Sequence, residues 1–108
     1  MTPTDIVIVL TTAPDDDRAE AWARTLVEER LAACVNVHGP MQSTYRWKGR
    51  VERELERQLV IKTTRERVAP LEHRLRALHP YELPEFLVVA ADGGADAYLE
   101  WVALEVRS

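Results

Sequence analysis

Strand-like and helix-like hydrophobic rhythms follow one another along this chain in an order that few folds accommodate. Ile6-Val7-Ile8-Val9-Leu10-Thr11-Thr12 is a continuous, mostly β-branched run, as expected of a strand buried on both faces. Ala13-Pro14-Asp15-Asp16-Asp17 breaks that run and opens a helix over about Asp16 to Leu31. There Ala19, Trp22, Ala23, Leu26, Val27 and Leu31 recur at the spacing of one buried stripe. Ala33 to Trp47 reads as a long second strand with an irregularity at Gly39-Pro40. Lys48-Gly49 has the length and the glycine of a two-residue hairpin turn. A third strand runs from Arg50 to about Thr63, with Val51, Leu55, Leu59 and Ile61 on one face and Glu52, Glu54, Glu56 and Gln58 on the other. Arg53 and Arg57 interrupt the apolar face, so the hairpin tip is expected to project beyond the core. A second helix covers about Arg67 to His79, with Pro70 tolerable only in its first turn. Phe86 to Ala91 is a fourth strand, Asp92-Gly93-Gly94 a turn, and a short last helix is expected to carry Tyr98, Trp101 and Val102 on one side.

This order, βαββαβ plus a C-terminal helix, predicts an α+β, ferredoxin-like fold with both main helices on one face of the sheet. The other face then needs a cover. Ile6, Ile8, Val35, Val37, Val60 and Val88 supply more apolar side chains than a sheet covered on one side uses. Leaving apolar area in water costs about 25 cal/mol per Å². The sheet of another copy is the economical cover, with the hairpin from Tyr45 to Leu55 as its arm, so the pattern predicts a homo-oligomer.

At 108 residues the chain reads as one domain, residues 1–108. A net charge of -4 argues against a nucleic-acid or anionic-membrane surface. Cys34 is the only cysteine, which excludes an intrachain disulfide and a multi-thiolate zinc site. A lone cysteine, an N-terminus without a positive segment, and no apolar run long enough for a leader or a membrane span predict a cytoplasmic protein.

Fold order does not name a function. A metal chaperone of this fold would carry a C-x-x-C pair after the first strand, where Thr12-Ala13-Pro14-Asp15 stands. An RNA-recognition domain would carry exposed aromatics on a third strand that here is rich in glutamate. No P-loop and no G-x-S-x-G occurs, and no nucleophile with an adjacent base is visible, so no enzyme is predicted. The segment with most chemistry is His79-Pro80-Tyr81-Glu82-Leu83-Pro84-Glu85, which packs an imidazole, a phenol and two carboxylates into seven residues stiffened by two prolines. It reads either as a stiff connector or as a preset metal or polar site.

Six segments in order carry a family resemblance: Thr11-Thr12-Ala13-Pro14, Arg30-Leu31-Ala32-Ala33-Cys34-Val35-Asn36, Ser43-Thr44-Tyr45-Arg46-Trp47-Lys48-Gly49, Ile61-Lys62-Thr63, His79 to Glu85, and Tyr98-Leu99-Glu100-Trp101. The chain resembles the CutA divalent-cation tolerance family from about Ile6 to Val102. The resemblance implies a PII-like trimer with a long β2–β3 hairpin, a role in tolerance of copper and other divalent metal ions, and no reaction. It departs from the family at Gly39-Pro40, where Pro-Gly is common, and at Ala95-Asp96, where Asn-Pro is common.

Residue by residue, the resemblance points to Cys34, His79 and Glu82 as metal ligands, for copper or another divalent ion. Cys34 could equally be a small buried hydrophobe, and His79 a helix-terminal histidine bonded to carbonyls. The alternative is a non-catalytic signalling or interaction module holding a small molecule or protein in intersubunit clefts, with Lys62, Tyr81 and Trp101 in the pocket. Tyr45, Trp47 and Tyr98 are expected at the trimer interface.

Overall fold

The computed structural model describes residues 5–107. Residues 1–4, part of the segment read for a leader, and residue 108 lie outside it. The elements run β1 (Ile6–Pro14), α1 (Arg18–Glu28), β2 (Cys34–Trp47), β3 (Arg50–Thr64), α2 (Val68–Leu78), β4 (Leu87–Ala90) and α3 (Asp96–Glu105), with a 3₁₀ turn at Arg65–Arg67 before α2. The four strands form one antiparallel sheet in the order β2-β3-β1-β4. This is the predicted ferredoxin-like arrangement.

The helices are shorter than their periodicity suggests. α1 stops at Glu28 because Arg30 takes φ +58°. Its N–H reaches the Val27 carbonyl, and that of Leu31 reaches Leu26, so a left-handed residue closes the helix with Leu31 folded onto it. Pro70 falls in the first turn of α2, where its missing N–H leaves no intrahelical bond unmade. Lys48 and Gly49 both have positive φ, the requirement of the tight hairpin turn. At Gly39 (φ +120°) the ladder shifts register between His38 and Met41, and a Cβ there would sit 3.0 Å from the Glu56 carbonyl oxygen. Only glycine allows that approach.

Antiparallel partners point to the same side of a sheet, so the register assigns faces. Val7, Val9, Thr11 and Ala13 of β1 are buried beneath the two main helices with Leu59 and Ile61 of β3. Trp22, Leu26, Leu71 and Leu75 close that core. Val35 and Val37 pair with Ile61 and Leu59 and pack on the same core, and Val88 pairs with Val9. All three therefore belong to the helix side and not to the uncovered face. Ile6 is also covered, by Leu99, Val102 and Val106 in and just after α3. The uncovered face carries Ile8, Leu10 and Val60, with Leu87 and Val89 on the edge strand.

Two further expectations change. Leu99 and Val102 form the inner side of α3, whereas Tyr98 and Trp101 face outward. Glu56, placed by alternation with Glu52, Glu54 and Gln58 on the face opposite the apolar one, is buried. The hairpin does project as expected: Leu59 and Ile61 are buried, while Val51 and Leu55 on the same face are 64% and 60% exposed.

Candidate functional site

The linker after α2 is bolted to the sheet by its own side chains. His79 ends the helix with an extended backbone, and its N–H still bonds to the Leu75 carbonyl. Its ring Nε2 lies 2.7 Å from the Thr12 carbonyl oxygen. A carbonyl can only accept, so Nε2 carries the proton and Nδ1 accepts the Tyr81 N–H at 3.3 Å. The ring packs between Trp22 (centroids 4.8 Å) and Tyr81 (4.5 Å). Burial holds the His79 pKa below the usual histidine value, which keeps this neutral tautomer.

Tyr81 carries the bolting to β3. Its hydroxyl donates to Glu56 Oε2 at 2.9 Å. Burial, then the Glu56 carboxylate, push the phenol well above its ordinary range, so it stays a donor. Glu56, 6% exposed, thereby has a hydrogen-bond partner, the half-buried Tyr81, without a cation. Further along the linker, the Glu85 carbonyl accepts from Thr11 Oγ1 at 2.6 Å. The Gln58 amide donates to the Thr11 carbonyl (2.7 Å) and to Glu85 Oε2 (3.2 Å). Between this linker and α2 lies a cavity of about 250 Å³, whose wall includes His79, Tyr81, Glu82, Glu85, Glu72 and Arg76. Glu82 is exposed and approaches Lys48 Nζ of the hairpin turn at 3.6 Å, an ion pair too open to water to stabilise much.

The remaining residues singled out from sequence lie elsewhere. Cys34 is a half-buried free thiol that opens β2, opposite Lys62, with Sγ 3.9 Å from Asn36 Oδ1. Lys62 Nζ bonds to the same amide oxygen and pairs across to Ile8. His79 is bonded four residues further along β1, at Thr12. Four residues of strand are about 13 Å. Trp101 and Tyr98 stand on the outer side of α3 with ring centroids 5.6 Å apart. Tyr45 and Trp47 lie on the hairpin face that carries Glu52 and Arg50.

Both residue sets are therefore divided. His79, Glu82 and Tyr81 stand at the hairpin end of the sheet, and Cys34, Lys62 and Trp101 toward the α3 end. Among the described residues no three His, Cys, Asp or Glu side chains are placed to hold a metal ion. With both His79 ring nitrogens engaged, the donors of one copy do not fit a resident divalent cation. Sequence reasoning missed Glu56, Gln58 and Thr11 as partners of the linker. No signal in the sequence marks Glu56, which alternation groups with Glu52 and Glu54.

No helix among the described residues is long and apolar enough to cross a membrane. Residues 7–105 match the family profile of the CutA1 divalent ion tolerance protein. The chain is 43% identical over 95 residues to the divalent-cation tolerance protein CutA of Thermus thermophilus, covering 88% of this chain and 92% of that one. It is 36% identical over 102 residues to the chloroplastic protein CutA of Arabidopsis thaliana, covering 94% of this chain. It spans 56% of that longer relative. The crystal structure of CutA from Xylella fastidiosa superposes with a TM-score of 0.92 at 45% identity, over 95% of this chain and 99% of that one. These matches span the whole ferredoxin-like domain, and the chain belongs to the CutA1 divalent ion tolerance family.

Proposed function

We propose that this protein serves divalent-cation tolerance as a non-catalytic homotrimer that holds its ligand in clefts between copies. The observation that carries the reading is the division just described. The metal set splits into Cys34 on one side and His79 with Glu82 on the other, and the pocket set into Lys62 with Trp101 and Tyr81. A head-to-tail arrangement brings such halves together. The bare sheet face of Ile8, Leu10, Val60, Leu87 and Val89 supplies the apolar contact for it. Tyr45, Trp47 and Tyr98 extend that contact along the hairpin and α3.

In this reading the divalent ion, copper or another, is cargo, held by donors from two copies. Cys34 supplies the soft donor that copper favours. The bonded state of His79 favours the second reading, a PII-like module that takes a small molecule or a protein segment in the same clefts. A lone thiol suits a reducing compartment, and the reading takes the protein as cytoplasmic. Copper titration by calorimetry on the wild type and on Cys34→Ala with His79→Ala separates the two. Lost affinity in the double variant supports metal cargo. Unchanged affinity removes those ligands and leaves the Lys62, Tyr81 and Trp101 pocket.

A further inference from the structure

The arginines of this chain divide by partner. Among the described residues Arg18, Arg24, Arg57, Arg74 and Arg76 each pair with a carboxylate. Those that join no such pair fall in two places. Arg46, Arg50 and Arg53 lie on the exposed hairpin, and Arg30, Arg65, Arg67 and Arg107 lie around the end of α3.

The second group surrounds a cavity. Arg30 Nη1 donates to the Glu105 carbonyl at 3.0 Å, and Arg67 Nε donates to the Val106 carbonyl at 2.7 Å. Adjacent residues have Cα atoms about 3.8 Å apart, so guanidinium groups from the end of α1 and from the turn before α2 converge on one helix end. Beside them is a cavity of about 280 Å³, walled by Thr64, Glu66, Arg67, Ala103, Val106 and Arg107. Arg67 is half-buried and Arg107 is exposed.

Helix capping explains part of this arrangement. A helix C-terminus carries about half a negative charge, and a cation is favourable there. Two bonded guanidinium groups exceed that charge, and Arg107 adds a third at the same end. The carboxylates nearby are Glu66 in the cavity wall, Glu105 at the end of α3, and Asp5, whose carbonyl accepts the Arg65 N–H. None of the three joins an ion pair among the described residues. A guanidinium has five N–H donors. The bond from Nε fixes the plane of Arg67, and its Nη groups make no hydrogen bond among the described residues.

We propose that this cavity binds a small phosphate-bearing anion. Arg67 is its anchor, held in place by Val106 with its Nη fork free, and Arg107 is the second arm. Arg30 adds positive charge from the far side of the helix end. Guanidinium forks match phosphate oxygens two at a time, and a doubly charged anion offsets the surplus better than a single carboxylate. Ala103 and Val106 leave the rest of the wall apolar for a small body attached to the phosphate. The site is complete in one copy. It shares no residue with the metal or cleft sets, so it stands whether or not copies assemble.

The test is calorimetric titration of the full chain with inorganic pyrophosphate, in a phosphate-free buffer of low salt at neutral pH, with circular dichroism to establish folding. The wild type should bind it, and acetate should give no measurable heat. Arg67→Gln should weaken binding about tenfold or more. Arg107→Gln is an exposed change that removes no side-chain bond among the described residues, and it should weaken binding about threefold or more even where Arg67→Gln perturbs the fold. Glu66→Gln removes the one carboxylate of the wall and should tighten binding, by about threefold. Arg46→Gln, on the hairpin, should leave it unchanged. A wild type that takes up no pyrophosphate at millimolar concentration overturns the site. So does a hairpin variant that weakens binding as much as Arg107→Gln, because the attraction is then general. Acetate bound as tightly as pyrophosphate overturns the phosphate class.

Discussion

The two ends of the sheet treat their polar groups in opposite ways. At the hairpin end His79, Tyr81, Glu56, Gln58 and Thr11 satisfy one another and the backbone within a single chain. Toward the α3 end Lys62 meets only an amide, Cys34 makes one long contact, and two aromatic rings face outward. A buried polar network specifies geometry only when complete, so the first end fixes the fold of one copy. At the second end Arg30 and Arg67 meet the backbone carbonyls of Glu105 and Val106, but Lys62 and Cys34 share one amide oxygen and the two rings stay outward in a single copy.

Substitutions should divide along the same line. Trp22, nearly fully buried and stacked on His79, belongs to the closed end, and Trp22→Ala should cost about 3–5 kcal/mol of stability in denaturant melts at fixed protein concentration. Trp101→Ala should leave a single copy folded and act on assembly. If the two tryptophan variants destabilise alike, the contrast between the ends is wrong.

Tyr81→Phe comes next. It leaves the buried Glu56 carboxylate without its donor and should cost about 1–3 kcal/mol. A loss no larger than that of an exposed Tyr45→Phe change would show that Glu56 finds another partner.

The third effect depends on pH. The folded protein holds His79 below its ordinary value of 6.5, so the unfolded chain takes up the proton more readily. The contribution of His79 is complete above pH 6.5 and falls as the pH drops from 6.5 toward the lower folded value. Melts at stepped pH should show that acid-side loss in the wild type and less of it in His79→Gln.

Smallest of all is Lys48→Ala, which removes an exposed ion pair with Glu82 and should change stability by no more than about 0.5 kcal/mol. A larger effect would make the hairpin tip part of the closed end.

The sequence made the framework legible because strand and helix periods differ and the turn at Lys48-Gly49 leaves little choice of pairing. Glu56 was not legible. Alternation groups it with Glu52 and Glu54, and only a tyrosine from a distant linker buries it. The orientation of α3 was obscured because apolar residues occupy both of its sides, so periodicity cannot choose between Leu99–Val102 and Tyr98–Trp101. His79 was recognisable as a helix-terminal histidine, but its carbonyl partner lies on β1 and not on its own helix. Cys34, His79 and Glu82 read as one set in the chain, and nothing in their spacing showed that the sheet would hold them apart.

The mass of the wild-type particle by light scattering, at low micromolar protein and neutral pH, bears most directly on whether one copy is only part of the working unit. The account predicts a stable species of three times 12.3 kDa. A well-folded particle of 12.3 kDa would contradict it.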